Sequence, residues 1–297
     1  MKILLTGSSG LIGSGLRESL TQDDHAVIRL VRTSSPSEPN TVLWNPNAEV
    51  LPESDLLENL DAVVHLAGES ISGRWTSGKK RRILRSRVEG THLLARTLAN
   101  LTHKPSVFIS ASAVGYYGNT GSQPVDESRS PGEGFLSNVC VAWEQATRPA
   151  EEAGIRTIHA RFGMVLDEHG GALQTMLPFF RKGLGGIVGN GRQMMSWISR
   201  TDTIRALRFL AISENITGPV NLVAPGAVTN WDFTKALGTA VGKPTPFPLP
   251  ACLAKLMFGE MGEELLLSSV HVKPGVLMNH GFAFQHETLD TALKDLS

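Results

Sequence analysis

Thr6-Gly7-Ser8-Ser9-Gly10-Leu11-Ile12-Gly13 follows the apolar run Ile3-Leu4-Leu5 and opens a segment with Leu11, Ile12, Leu16 and Leu20 on one side. The spacing predicts a buried strand over 3–6, a glycine turn, and an amphipathic helix over 11–20. Gly7 permits the tight turn, Gly10 lets the backbone approach a pyrophosphate, and Gly13 allows helix and strand to pack closely. Free N–H groups at the start of such a helix face phosphate oxygens. Thr6, Gly7, Ser9, Gly10, Leu11, Ile12 and Gly13 are therefore expected to contact a dinucleotide.

Outward from this turn, further strands are expected over 27–31, 62–66, 107–110 and 155–160. Helices are expected over about 79–98 and 137–153. Strand and helix in alternation predict an α/β fold, a Rossmann-type doubly wound parallel sheet. The expected Rossmann domain takes in residues 1–166 plus about 199–224. Residues 167–198 and 225–297 are expected to form a smaller C-terminal substrate lobe. Five of the 30 glycines fall within 183–191, and Pro244, Pro246, Pro248 and Pro250 punctuate a connection. Ile187-Val188-Gly189-Asn190-Gly191-Arg192 carries the Asn-Gly signal of a hairpin. Helices are read over 253–267 and near 289–296.

The second strand ends Leu30-Val31-Arg32 with no carboxylate, followed by a polar loop over 33–40. An acidic residue there would hold a ribose diol and repel a 2′-phosphate, whereas Arg32 can pair with that phosphate. The expected cofactor is NADP(H), the alternative being that Arg32 is a solvated loop residue. Leu66-Ala67-Gly68 offers a small-residue edge for the adenosine ribose side, and His65 reads as a packed strand residue.

These segments resemble the extended short-chain dehydrogenase/reductase superfamily, in the glycine motif, His65-Leu66-Ala67-Gly68 and Arg87-Val88-Glu89-Gly90-Thr91. The resemblance places Arg87 beside the cofactor, where it replaces an asparagine. It also implies that Ser110 lies on the cofactor side and that Ser112 takes the position of the catalytic serine. Arg161, Gly163 and Met164 fall on the strand that runs past the nicotinamide, with core packing the alternative for Met164. The superfamily's Tyr-x-x-x-Lys pair is missing. The only tyrosines, Tyr116 and Tyr117, have Thr120 and Gly121 four positions on, and no lysine lies between Lys104 and Lys182. Aligned through Glu144, the pair's positions hold Leu136 and Cys140.

Trp75, Ser86-Arg87, Gly115-Tyr116-Tyr117, Trp143-Glu144, Ser196-Trp197-Ile198, Gly259-Glu260-Met261 and Val272-Lys273-Pro274 are similar to the atypical "epimerase family protein" subgroup. That subgroup has a C-terminal region of unknown function. The resemblance implies an oxidoreductase or epimerase acting on a carbonyl compound or nucleotide sugar. Ser112 would polarise the carbonyl, and Tyr116, Tyr117, Glu69 or water would supply the proton. The other reading is an inactive NADPH-sensing regulator or scaffold.

Several residues keep two readings. Glu69 is a general base or a structural acceptor for Trp75 or Arg87. Cys140 is a reactive thiol or an inert buried one. Arg192 is structural or faces an anionic substrate. Asp202 is expected to cap a helix. The basic run from Lys79 to Arg87 reads mostly as a solvated helix face, Arg87 excepted.

The 297 residues carry no net charge, 41% hydrophobic and 19% charged, which argues against a nucleic-acid or membrane surface. Two cysteines fit a reducing compartment, and the nine histidines show no ligand-like spacing, so no metal is assigned. A strand starting at once leaves no room for a leader, and a cytoplasmic location is expected. A homodimer is expected by analogy with extended relatives.

Overall fold

The structure, a computed structural model, describes residues 1–32, 39–46 and 55–294. Seven parallel strands form the main sheet: β1 (Lys2–Thr6), β2 (Ala26–Val31), β3 (Thr41–Leu43), β4 (Ala62–His65), β5 (Val107–Ala113), β6 (Arg156–Phe162) and β10 (Gly218–Leu222). Across the sheet they run β3-β2-β1-β4-β5-β6-β10. The chain leaves β3 at one edge and returns on the far side of β1 to form β4. The crevice beyond the carboxyl ends of β1 and β4 is thus the topological switch point, where open α/β sheets bind ligands.

Alternation along each strand feeds two cores. Ile3, Leu5, Val64, Val107, Ile109 and Ile158 face α1 (Leu11–Gln22) and α6 (Arg200–Ile212), which supply Leu16, Leu20, Leu207 and Leu210. Leu4, Ile28, Leu30, Val63 and Phe108 face α2 (Ser77–Ala99) and α4 (Arg148–Glu152). Helix α3 (Phe135–Gln145) lies against α2 on that second face. Burying both faces of the sheet is what demands near-continuous apolar strands. This is the doubly wound Rossmann-type α/β fold.

A third core gathers α5 (Gly171–Arg181), α7 (Asn230–Ala240) and α10 (Leu289–Leu293) around fully buried Trp197. Trp197 opens β9 (Trp197–Ser199), which pairs with β7 (Met164–Leu166). A second short pair joins β8 (Met194–Met195) to β11 (Val228–Thr229). The chain then adds α8 (Ala251–Phe258), a π-helical turn (Gly262–Leu267) and α9 (Gly275–Asn279).

Several expectations need correction. The helix read over 137–153 is two, because Pro149 at the start of α4 has no N–H to continue the α3 ladder. The helix read over 253–267 breaks at Gly259, whose φ of 60° cannot continue a right-handed turn. No strand pair flanks Asn190-Gly191. Gly191 N–H instead closes a turn on Val188 (3.1 Å), and Val188 bridges to Leu249. Asp202 is not the cap of α6: Ser199 is, accepting from the Asp202 N–H. Most of the 33–40 loop and residues 295–297, where the last helix was read to continue, lie outside the described residues. Among the described residues, no helix is long and apolar enough to cross a membrane.

Candidate functional site

Gly7 takes φ 66°, and a Cβ there would lie 2.9 Å from the Leu66 carbonyl carbon. The turn after β1 is thereby pressed against the end of β4. Gly10 is the N-cap of α1, with no side-chain cap and no acidic residue in the first turn. Ser9 and Gly10 are exposed, so the helix dipole and its first N–H groups open into the crevice. Leu11 and Ile12 are half-buried. Leu11 packs on Gly170 and Gly171, and Ile12 on the first core. Arg32 lies exposed just beyond β2.

Below the turn runs a buried polar chain. Leu66 N–H and Ala67 N–H donate to Thr6 Oγ1 (3.0 and 3.2 Å), and Thr6 Oγ1 is 2.7 Å from His65 Nδ1. With two donors on its oxygen, Thr6 gives its own proton to Nδ1, which leaves Nε2–H to donate to Thr91 Oγ1 (3.0 Å). Trp143 Nε1–H also reaches Thr91 Oγ1, at 2.9 Å. Burial holds His65 neutral, its pKa lowered to about 4. The unfolded chain therefore binds a proton at acid pH that the folded chain refuses. Stability should be intact above pH 6.5 and fall by roughly 3 kcal/mol as pH drops towards 4. Urea unfolding at several pH values checks this, and His65→Leu should flatten that part of the slope.

Arg87 lies over the Trp143 ring (4.9 Å) and against Gly68, and donates to the Glu69 carbonyl (2.9 Å). Burial lowers its pKa. The Glu69 carboxylate pairs with Lys79 (2.8 Å) and lies 3.7 Å from Arg82. The Lys79 hydrogen bond holds its pKa below the usual carboxylate range, which suits an ion-pair partner better than a general base. Trp75 donates elsewhere, to the Ile71 carbonyl. Within the basic run, Lys80 reaches Glu260 and Arg85 reaches Glu89.

Where a proton relay would be built, the chain has a buried clamp. Arg161 is 3% exposed, and its Nε and Nη2 donate to the two oxygens of Glu144, both at 2.8 Å. Ser112 Oγ donates its one proton to Glu144 Oε1 (2.7 Å). Arg161 Nη1 donates to Tyr117 Oη (2.8 Å), and Tyr117 donates to Asn221 Oδ1 (2.7 Å). Burial pushes the Tyr117 phenol up to about 12, only partly offset by Arg161. Burial also opposes the charge on Arg161, but Glu144 outweighs it and raises the guanidinium pKa. The fork of Arg161 is used inside the protein, on Glu144 and Tyr117. Ser112 faces α3 with its proton committed, and Tyr117 is no ready acid.

Tyr116 differs from its neighbour. Its ring stacks on the Arg161 guanidinium (3.5 Å), it is half-buried, and its hydroxyl has no hydrogen-bond partner among the described residues. Cys140 is buried, its thiol 3.7 Å from the Ala113 carbonyl, and burial pushes it up to about 11. That is an inert thiol. Ser110 is also buried, directed at the Ala111 carbonyl (3.4 Å). Gly163 is small because Ser196 O would lie 2.7 Å from a Cβ, and Met164 packs into the third core. Arg192 is exposed.

The C-terminal region reaches this site through carboxylates. Glu264 accepts from Phe135 N–H (2.7 Å) and Leu136 N–H (2.9 Å), capping α3 where Gly134 cannot. Asp202, fully buried, accepts from the N–H groups of Gln285 and His286. Neither role is marked in the sequence, since the partners lie far away along the chain. Arg161 did carry a signal: a guanidinium in a buried strand requires a buried carboxylate. Among the described residues, no group of three His, Cys, Asp or Glu side chains is arranged to hold a metal.

A glycine-capped helix at the switch point of a seven-stranded parallel sheet defines the Rossmann class. The chain belongs to the NAD dependent epimerase/dehydratase family, which residues 3–222 match, while residues 249–296 match a domain of unknown function, DUF1731. It is 45% identical over 292 residues to epimerase family protein Mb2239 of Mycobacterium bovis, covering 98% of this chain and 96% of that one. It is 35% identical over 303 residues to mouse epimerase family protein SDR39U1, covering 100% and 99%. The crystal structure of human epimerase family protein SDR39U1 (isoform2) with NADPH superposes with a TM-score of 0.90 at 32% identity, over 99% and 98% of the two chains. The subgroup resemblance read from the sequence is borne out.

Proposed function

We propose that this chain binds NADP(H) and acts as an atypical oxidoreductase or epimerase on a carbonyl compound or nucleotide sugar, with Tyr116 or water as proton source. The observation that carries the binding is the uncapped N-terminus of α1, where Gly7, Gly10 and Gly13 leave backbone N–H groups facing the crevice. A Cβ at Gly7 would meet the Leu66 carbonyl and one at Gly13 the Gly7 carbonyl. Glycine is what lets the turn close this tightly against β4 and α1, and the residues present fit a pyrophosphate. Ser9, Gly10, Leu11 and Ile12 would hold it, Leu66, Ala67 and Gly68 would line the ribose side, and Arg32 would pair with a 2′-phosphate. When bound, the nicotinamide supplies a hydride donor or acceptor. Of the hydroxyl groups named for proton transfer, only that of Tyr116 is unengaged, and the Arg161 guanidinium fixes its ring.

A relative solved with NADPH supports the choice of the phosphorylated nucleotide. Arg32→Asp should lower the NADPH-to-NADH affinity ratio by about a hundredfold, read by calorimetry. An unchanged ratio would remove Arg32 from the site. The Ser112–Glu144 bond favours a second reading, a sensor that binds NADPH without turnover. NADPH oxidation against a panel of carbonyl compounds and nucleotide sugars separates the two. Turnover that falls at least tenfold in Tyr116→Phe supports the enzyme. Tight binding with no turnover across the panel supports the sensor.

A further inference from the structure

At the amino-terminal end of the sheet, opposite the switch point, a cavity of about 440 Å³ opens between α1, α6 and residues 281–283. Its walls are Leu20, Phe209, Ile212 and Phe282, with Arg205, Arg208 and His25 among the other lining residues and no carboxylate in the lining. Ile212 is 67% exposed at the last position of α6, although an apolar side chain there gains nothing from water. Arg205 and Arg208 stand one turn apart on α6. Arg205 pairs with Asp202 through Nη1 alone, whereas Arg208 gives Nη1 to Ser19 and Nη2 to Asp23, so the donors left over are chiefly those of Arg205. Both remain partly exposed. Arg205 also lies over the Phe282 ring (5.5 Å), which joins the cationic rim to the apolar wall.

We infer that this cavity is a second binding site, for an amphipathic monoanion: a carboxylate on an aliphatic or aromatic tail. The volume falls in the range of small-molecule sites. A carboxylate matches the planar donors that Arg205 has left, and a chain of several methylenes covers exposed Ile212 and half-buried Phe209, with buried Leu20 and Phe282 behind them. A cation would meet two guanidiniums, and a short anion would leave the apolar wall wet. The site is independent of the nucleotide crevice and of the function proposed above.

Calorimetry of the full chain with decanoate tests it. One saturable site is expected, with decanol and acetate each at least about tenfold weaker and decylamine silent. Ile212→Asp, at an exposed position that folding does not need, places a carboxylate at the rim and should weaken decanoate by about tenfold or more. Saturating NADPH should leave decanoate affinity unchanged. The inference is overturned if decanoate shows no saturable binding, if decanol binds equally well, if Ile212→Asp changes nothing, or if NADPH displaces it.

Discussion

Gly13→Ala is expected to cost about a hundredfold or more in NADPH affinity and about 2 kcal/mol in stability, although alanine is the better helix former. The reason lies in what the added methyl would meet. A Cβ on Gly13 would fall on the carbonyl oxygen of Gly7, 2.8 Å from its carbon and 3.0 Å from Ser8 Cα. These are backbone atoms of the turn itself, already pinned on the other side by Leu66. The turn can yield only by moving α1 away from β1, and the N–H groups of the cradle move with it. Gly15→Ala is the control one half-turn on. Its Cβ would meet side-chain ends and not backbone. The tip of Ile204 can shift by rotamer change, and the Arg200 guanidinium, which is bonded to Leu11 O and Ser14, would have to give by less than an ångström. Calorimetry and thermal unfolding of both variants decide the point. Equal, small effects from the two would show that the turn has no need of close helix packing.

The same contrast explains what was legible in the sequence. The strand, turn and helix over residues 2–22 are written locally, because glycine spacing and apolar periodicity act within one turn of chain. The outer strands β3 and β10 are not. Thr41–Leu43 is three residues with half-exposed Leu43, and Gly218–Leu222 contains glycine, proline and asparagine, tolerated at a sheet edge. Their strand state comes from a neighbour already in place. The site divides in the same way. The phosphate turn could be read, and so could the loss of the tyrosine–lysine pair. The role of Glu144 could not, because it depends on Arg161 arriving from β6, 17 residues on and in another element. Resemblance alone put Arg161 next to the cofactor and gave Ser112 the place of the catalytic serine. Strand alternation instead turns Ser112 towards α3, on the same face as Phe108, where its hydroxyl meets Glu144.

That clamp makes the strongest claim about stability. Glu144→Ala should destabilise the fold by about 3–5 kcal/mol, because the Arg161 guanidinium is left buried with its main acceptor removed. Ser112→Ala removes one donor from a carboxylate that keeps its Arg161 bonds, and should cost only about 1 kcal/mol. Replacing both partners, Glu144→Leu with Arg161→Met, leaves no orphaned charge and should recover most of the loss. Urea unfolding of the parent and these variants ranks the costs, and adding Glu144→Leu and Arg161→Met singly closes the cycle that gives the coupling energy. NADPH affinity supplies the second readout. If Arg161 belongs to the interior and not to the cofactor, the refolded double variant should bind NADPH within about threefold of the parent, since no contact with the nucleotide has been removed. A double variant that is stable yet has lost the nucleotide would return Arg161 to the cofactor site. One that stays as unstable as Glu144→Ala would mean that the pair, and not the unpaired charge, holds α3 against β6.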